Sequence, residues 1–345
     1  PDYSALDSFA QVLPRWLKCG LLFILKAALW YPLFFYDVVV LSRLFNRISP
    51  QILHVNNGGY PGALSCRAAV LAAKICGIKN IIMVVNNLAV SYKKPGRWLD
   101  YPIDRLLVRT VRTFVTGSRF AATCLIQVLK LDSNRICSFP NGVKIRRLTE
   151  NKFETLKRLG LSDFTGVIFG VVALMERRKG HRVLLEALDY LSKTDFSTLS
   201  NLVLLLEGDG PLQAELEKFV LAHNLEDRVF FVGNEKNIFN FINVLDVLVL
   251  SSVEYEDFPN VVLEGMAMGK PIIVSRLAGT PEQVIDGENG LLVTPGEPIP
   301  LAVALKSLAV DHGLRKRFGE ESLKRFEENF TVKAAVGRYL NLYQK

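Results

Sequence analysis

Residues 251–275 combine a strand end, an acidic loop and a helix start, an arrangement suited to binding a phosphorylated ligand. The pattern predicts a helix beginning near Pro259, because proline lacks an N–H group and its fixed φ suits the first helical turn. The backbone amides of Asn260, Val261 and Val262 would then have no acceptor inside the helix. Free amides at the positive end of a helix dipole bind phosphate groups.

Two glutamates flank this helix start, eight residues apart in the chain. Glu264 lies about one turn into the helix, where a carboxylate can accept hydrogen bonds from the vicinal hydroxyls of a ribose. Glu256 lies in the preceding loop and would face the group joined to the far phosphate. The residues alone leave a second interpretation open, an acidic surface loop followed by a capped amphipathic helix.

The paired glutamates in EDFPNVVLEGMAMGKP resemble the acidic motif of the family-4, retaining GT-B glycosyltransferases. Other segments resemble further motifs of that family in the same order, and the resemblance covers roughly residues 50–345. These segments are FPNGV (139–143), RRKGHRVLLEAL (177–188), LLLEGDGPLQAELE (204–217), VFFVG (229–233) and GTPEQVIDGENGLLV (279–293).

The resemblance implies roles for single residues. Lys179 would neutralise the diphosphate of the donor, Glu264 would hold the ribose, and Glu256 would hold the transferred sugar. Gly233 and its neighbours would contact the base through the main chain. The backbone groups that position phosphate and sugar would be those of Phe258, Pro259, Asn260 and Val261.

This chain departs from the family pattern at several positions. Where the family usually has an arginine, the chain has Leu174, and Arg177 or Arg178 would have to replace it. Asn86 occupies the place of a histidine that lies near the transferred sugar, and it can offer only a neutral hydrogen bond. Gly208, although assigned to the donor site, is also typical of a plain strand-to-helix turn.

Short apolar runs alternate with helical patterns from residue 52 onwards, which is typical of parallel βαβ units. The predicted fold class is α/β of the GT-B type, with two facing, doubly wound Rossmann-like domains and a cleft between them. The family's first strand and its Gly-rich loop are expected to precede Pro1. The predicted domains are an acceptor-side domain over 1–145, a nucleotide-sugar domain over 146–325, and a C-terminal helix over 326–345 that would return to the first domain.

Charge is unevenly distributed along the chain. Residues 1–150 hold 20 basic and 7 acidic side chains, whereas residues 151–345 hold 22 basic and 27 acidic ones. A basic half can attract phosphates, anionic lipid or nucleic acid, but no nucleic-acid recognition motif is present. The five cysteines show no CxxC spacing, which favours reduced thiols that fill a core in a cytoplasmic protein.

The apolar run over residues 21–41 is interrupted by Lys26, Pro32 and Asp37, so we expect no transmembrane helix there. Two interpretations remain: two helices at a membrane surface, or a helical hairpin packed into the first domain. In the first, the membrane-contacting residues would be Trp16, Lys18, Lys26, Trp30 and Tyr31.

Among the histidines, His181 is expected to be a helix cap or a surface residue, and His223 and His312 to face solvent. His54 ends a predicted strand. A role in the site is the less favoured interpretation for it, and an ordinary structural role is the more favoured one.

The expected activity is transfer of a hexose-type sugar from a UDP- or GDP-sugar to a glycan or lipid-linked acceptor, in cell-surface polysaccharide or lipopolysaccharide biosynthesis. The expected location is the cytoplasmic face of the membrane, with peripheral membrane contact. No cofactor and no essential metal are expected, since no Asp-x-Asp motif is present. The alternatives are a nucleotide-sugar epimerase or hydrolase on the same fold, and an inactive sugar-nucleotide-binding protein.

Overall fold

The structure, a computed structural model, describes residues 15–94 and 97–344, and within the first helix it describes the side chains of residue 24 and residues 28–48. The chain divides into two compact units, unit 1 with residues up to 116 and 122–137, and unit 2 with residues 117–121 and 138–345. Residues 117–121, which include the start of one helix, therefore group with unit 2.

Unit 1 contains a four-stranded sheet in the order β1-β2-β3-β4, in which β1 pairs with β2 and β2 with β3 in parallel. The helices of this part of the chain pack on the sheet through apolar residues such as Leu107 and Leu125. Its strands are β1 (Ile52–Asn57), β2 (Asn80–Val85), β3 (Thr113–Thr116) and β4 (Ile136–Ser138), and its helices are α1 (Arg15–Ile48), α2 (Leu64–Ile75), α3 (Tyr101–Thr110) and α4 (Arg119–Leu129).

The N-terminal apolar run forms one continuous helix, α1, with Pro32 inside it. The predictions of two surface helices and of a helical hairpin are therefore wrong. The helix continues through Pro32 because it tolerates the loss of the one backbone hydrogen bond that proline cannot donate. Phe34, Val38 and Phe45 of α1 are buried in the core of unit 1, while many of its other apolar residues are exposed. In the described part of the chain, residues 28–48 have the length and composition to cross a membrane.

A charged network lies inside unit 1. Arg67, which is 2% exposed, forms an ion pair with Asp100 at 2.7 Å, and Arg97 forms one with Asp104 at 2.6 Å. The Tyr60 hydroxyl donates to Asp104 over 2.9 Å. Each buried charge thus has an opposite charge beside it, as burial requires.

Unit 2 contains a six-stranded sheet in the order β10-β9-β8-β5-β6-β7, and its paired strands run parallel. Strands such as β6, LVLLLE, are buried along their whole length because helices cover both faces of the sheet. The strands are β5 (Val167–Val172), β6 (Leu202–Glu207), β7 (Val229–Gly233), β8 (Val247–Leu250), β9 (Ile272–Ser275) and β10 (Gly290–Val293).

The helices of unit 2 connect these strands in alternation. They are α5 (Lys152–Arg158), α6 (His181–Thr194), α7 (Phe196–Ser200), α8 (Gln213–Ala222), α9 (Ile238–Val244), α10 (Asn260–Ala267), α11 (Thr280–Gln283), α12 (Pro298–Val310), α13 (His312–Asn329) and α14 (Val332–Tyr343). The predicted C-terminal helical stretch is therefore two helices, separated at Phe330 and Thr331.

The turn between α13 and α14 packs against the start of unit 2. Val143 donates its N–H to the carbonyl of Phe330 over 3.0 Å. The Phe330 ring is 3% exposed and lies 5.8 Å from the ring of Phe258, centroid to centroid. The predicted return of the C-terminal segment to the first domain stays a prediction.

Candidate functional site

The strand order of unit 2 reverses between β5 and β8, because β6 and β7 follow on one side and β9 and β10 on the other. In open α/β sheets, ligands bind beyond the carboxyl ends of the strands at such a switch point. The loop after β5 carries Lys179, and the loop after β8 carries Glu256. The topology therefore brings two residues from distant parts of the sequence to one place.

Lys179 and Glu256 are in direct contact. Their Nζ and Oε2 atoms lie 2.5 Å apart, and the two side chains are 13% and 10% exposed. The Ser252 hydroxyl donates a second hydrogen bond to the same carboxylate oxygen over 2.8 Å. The site thus holds a nearly buried, mutually neutralised pair beside the switch point.

The backbone between the two loops is closely joined. Gly180 has a left-handed φ of 69°, and a Cβ atom at this position would lie 2.0 Å from the carbonyl oxygen of Ser251. The Val253 N–H donates to the Arg178 carbonyl over 2.8 Å. Only glycine fits this contact, and it fixes the loop that carries Lys179 against the loop that carries Glu256.

Helix α10 begins at Asn260, with Pro259 as its N-cap in an extended conformation. The Val262 amide donates to the Pro259 carbonyl over 3.3 Å, so the prediction of a free amide at Val262 is wrong. The reason is that a tight first turn satisfies this donor within the helix end itself. The amides of Asn260 and Val261 come before Val262, the first residue of α10 whose N–H bonds to a carbonyl of the helix end.

Glu264 is half-buried in the second turn of α10. Burial raises the pKa of its carboxyl, and the positive charge of Arg146 opposes that shift. Glu207 is 8% exposed at the end of β6 and accepts a hydrogen bond from the Glu235 amide over 3.0 Å. Burial raises the pKa of Glu207 as well, with the charge of Glu264 among the smaller causes. Sequence reasoning missed Glu207, although a glutamate closing an apolar strand was a visible signal.

Gly208 lies where two chain segments approach closely. Its N–H donates to the Gly233 carbonyl over 2.9 Å, and a Cβ atom at Gly208 would lie 2.4 Å from the Ala173 carbonyl oxygen. Gly233 has a φ of 76°, and a Cβ atom at this position would meet no neighbour. Glycine is therefore favoured here by the left-handed backbone conformation and not by lack of space. The structure thus accounts for Gly208 through the turn after β6.

Asp257 was not assigned any role from the sequence. It is 3% exposed, and its Oδ1 atom accepts a hydrogen bond from the Ser118 hydroxyl over 2.5 Å. Burial raises the pKa of Asp257 to about 6, although the Ser118 hydrogen bond lowers it. Ser118 lies 139 positions away in the chain, which is why no local pattern indicated the contact.

His181 is 2% exposed, and neither of its ring nitrogens has a hydrogen-bond partner. The expectation of a capping or surface histidine is therefore wrong, because its ring packs inward at the start of α6. Burial lowers the pKa of His181 to about 4, with the charge of Lys179 as a further cause. His223 is partly exposed, and its Nδ1 atom lies 2.8 Å from Asp189, while His312 is exposed as expected.

The remaining predicted site residues have local partners. The Arg178 guanidinium donates to Glu176 over 2.8 Å, and Leu174 is 49% exposed. Asn86 belongs to unit 1, where its exposed side chain donates to Asn56 over 2.6 Å. Their roles in the site stay predictions.

A family model described as glycosyl transferases group 1 matches residues 153–325. The lipopolysaccharide core biosynthesis glycosyltransferase LpsD of Rhizobium meliloti is 32% identical over 169 residues, which are 49% of this chain and 47% of LpsD. The 2-deoxystreptamine glucosyltransferase of Streptomyces kanamyceticus is 28% identical over 320 residues, 88% of this chain and 79% of that protein. For LpsD and for LpsE of the same organism, the chain spans about half the length of the relative.

Solved structures share the fold at low identity. Anabaena Alr3699/HepE in complex with UDP has a TM-score of 0.77 and 19% identity, covering 89% of this chain and 81% of HepE. A glycosyltransferase from Rickettsia africae has a TM-score of 0.76 and 19% identity, and the match covers 90% of this chain and 80% of the Rickettsia chain.

Proposed function

Because this chain belongs to the glycosyl transferases group 1 family and has the predicted GT-B type of α/β fold, we propose that it transfers a sugar from a nucleotide diphosphate sugar. We also propose that the transfer retains the configuration of the anomeric carbon. The observation that carries the proposal is the nearly buried pair of Lys179 and Glu256 beside the β5/β8 switch point. The start of α10, with Glu264 in its second turn, follows directly in the chain.

In this proposal the donor's diphosphate binds at the start of α10 and beside Lys179. An ammonium group has three N–H donors, so Lys179 can contact a phosphate oxygen while it keeps its bond to Glu256. As the anomeric bond breaks, negative charge develops on the leaving diphosphate, and the fixed charge of Lys179 stabilises it. The amides of Asn260 and Val261 act in the same direction.

The two glutamates divide the rest of the donor between them. Glu256 accepts hydrogen bonds from hydroxyls of the transferred sugar, and Glu264 accepts from the ribose. Arg178 would assist Lys179 only by exchanging its partner Glu176 for the donor.

The substrates are proposed from the relatives. HepE has been solved with UDP-glucose, and LpsD and LpsE are named for lipopolysaccharide core biosynthesis. We therefore propose a UDP- or GDP-hexose as donor and a glycan or lipid-linked acceptor of cell-surface polysaccharide, modified at the cytoplasmic face of the membrane. We also propose that turnover needs no metal, because Lys179 and helix amides supply the positive charge; full activity in EDTA is the expected result.

The test is release of nucleotide from a panel of UDP- and GDP-sugars with and without glycan acceptors, followed by NMR of the product's anomeric proton. Glu264→Ala should weaken UDP binding at least about tenfold, since it removes a charged hydrogen-bond acceptor worth about 1.5–3 kcal/mol. Glu320→Ala changes an exposed glutamate in the same unit and should leave binding unchanged.

Equal UDP affinity in the Glu264→Ala variant and the wild type would contradict the proposed ribose contact. Nucleotide release that needs no acceptor would indicate a hydrolase, and an epimerised donor sugar would indicate an epimerase. An inverted anomeric product would contradict retention alone.

A further inference from the structure

The loop that carries Glu256 contains a backbone conformation that needs support. Tyr255, directly before Glu256, has a φ of 53°, and its side chain is 55% exposed. The left-handed region is unfavourable for a residue with a bulky side chain, so such a conformation persists only where neighbouring contacts hold it. On either side of Tyr255, the side chains of Ser252 and Asp257 make hydrogen bonds that hold the loop.

One of these contacts is the pair already described, in which Lys179 and Ser252 hold the Glu256 side chain. The second is made by the next residue. The Asp257 carboxylate accepts from the Ser118 hydroxyl over 2.5 Å, and its Oδ2 atom is buried without a partner. Successive side chains of the loop are thus bound in two different places.

Ser118 is itself a fixed point. Its hydroxyl oxygen accepts from the Ala121 amide over 2.9 Å, and its carbonyl accepts from the Ser138 hydroxyl over 3.0 Å. The Glu282 carboxylate accepts from the amides of Arg119 and Phe120 over 3.0 and 3.1 Å. Segment 117–121 groups with unit 2, so the bond between Ser118 and Asp257 lies within one unit.

Packing around Asp257 leaves little freedom. A Cβ atom at Gly279 would lie 2.5 Å from the Ser118 Cβ atom, 2.7 Å from the Asp257 carbonyl oxygen and 2.9 Å from its Oδ1 atom. Only a glycine allows this approach, so Ser118, Asp257 and Gly279 form a close contact.

We propose that Asp257 is a positioning residue for the transferred sugar, because its buried bond to Ser118 holds the neighbouring Glu256 where it meets the sugar hydroxyls. The inference rests on the proposed function for the identity of the sugar-bound carboxylate. The bond itself is a property of unit 2 and can be tested without turnover.

The charge of Asp257 strengthens this bond, since hydrogen bonds to ionised acceptors are shorter and stronger than neutral ones. Burial raises the pKa of Asp257 to about 6, and the negative charges of Glu282 from α11 and Glu256 from its own loop act in the same direction. The positive charge that contacts Glu256 is that of Lys179. Positioning should therefore weaken as pH falls through about 6.

The experiment compares the wild type with Asp257→Asn and Ser118→Ala, with Asp227→Asn as an exposed control of the same chemical change. The readouts are kcat and KM from pH 5 to 8, and the ratio of the affinity for the nucleotide sugar to that for UDP alone. Ser118→Ala should lower kcat about tenfold to a hundredfold, because small displacements of a contacting group cost that much. UDP affinity should stay within about twofold, since the ribose and phosphate contacts remain.

Asp257→Asn carries a neutral side chain at every pH and should resemble the protonated wild type. The ratio of wild-type to variant kcat should therefore rise through pH 6 and then level off. A ratio independent of pH, or a loss of UDP affinity parallel to the loss of kcat, would overturn the positioning role.

Absence of transfer from every donor would contradict the proposed function and not this inference. In that case the affinity ratio decides: Ser118→Ala should reduce the preference for the nucleotide sugar over UDP, and an unchanged preference would overturn the inference. The control Asp227→Asn should match the wild type in every readout.

Discussion

The contact between Lys179 and Glu256 offers a direct test of the site without any substrate. Replacing Lys179 with methionine keeps most of its apolar length but leaves the Glu256 carboxylate, whose side chain is 10% exposed, without its cation. Removing one partner of a buried ion pair costs about 3–5 kcal/mol, because the remaining charge stays desolvated. The Ser252 hydrogen bond remains, so we expect the lower value, about 3 kcal/mol.

The double variant Lys179→Met/Glu256→Gln removes both charges and should recover most of this loss. We expect it to lie within about 1 kcal/mol of the wild type, since replacing a buried pair by neutral groups is often close to neutral. The double variant would then be about 2 kcal/mol more stable than Lys179→Met alone, which two independent destabilising changes cannot give.

The assay is urea and thermal unfolding of the four proteins of the cycle at pH 7 in the absence of nucleotide. A loss of about 3 kcal/mol in a domain of this size lowers Tm by roughly 6–12 °C. Lys193→Met is the matched control, because Lys193 is 66% exposed and pairs with Asp189 on the surface of α6. An exposed pair contributes about 0–1 kcal/mol, so this variant should hardly change Tm.

The reasoning is refuted if Lys179→Met and Lys193→Met destabilise equally, or if the two changes in the cycle are additive. Either result would mean that the 2.5 Å contact does not hold a desolvated charge. The proposed arrangement of the donor site would then lose its main support.

Two further predictions concern packing. Gly180→Ala should destabilise the fold by more than about 2 kcal/mol, because the new methyl group would overlap the Ser251 carbonyl. Gly287 has a similar φ of 78° with open space around it, so Gly287→Ala should cost only about 1 kcal/mol. Urea unfolding of both variants is the measurement, and equal losses would contradict a steric cause. In unit 1, Arg67→Met leaves Asp100 without one of its two cations and should lower the free energy of unfolding by about 3 kcal/mol. The double variant Arg67→Met/Asp100→Asn should lose less stability. The opposite order in thermal unfolding would contradict the role of the pair.

Much of unit 2 could be predicted from the sequence, because buried parallel strands read as uninterrupted apolar runs. The run LVLLLEG predicted β6, and the structure places that strand at Leu202–Glu207. Helix α3 was not predicted, although its sequence, YPIDRLLVRT, has a proline in the first turn, which is the same start signal that was used at Pro259. The separation of the C-terminal helical stretch has a local signal that sequence reasoning missed, because the Thr331 side chain accepts a hydrogen bond from the Ala334 amide and caps α14.

The same distinction holds for the candidate site. Glu256 and Lys179 could be named from their local patterns, although their 2.5 Å contact depends on the strand order of the sheet. Asp257 looked like one more acidic residue in a loop, and its burial results from Ser118 and Gly279, which lie far away in the chain. Contacts of this kind cannot be read from spacing.

The aromatic contact between Phe258 and Phe330 has a consequence for recombinant work on unit 2. The family match ends at residue 325, yet Phe330, five positions later, fills the core beneath the loop that precedes α10. A fragment cut at the end of the match would lose this ring and the backbone bond from Val143, and would leave Phe258 beside an empty space. Expression boundaries for unit 2 should therefore extend through Tyr343, the last residue of α14.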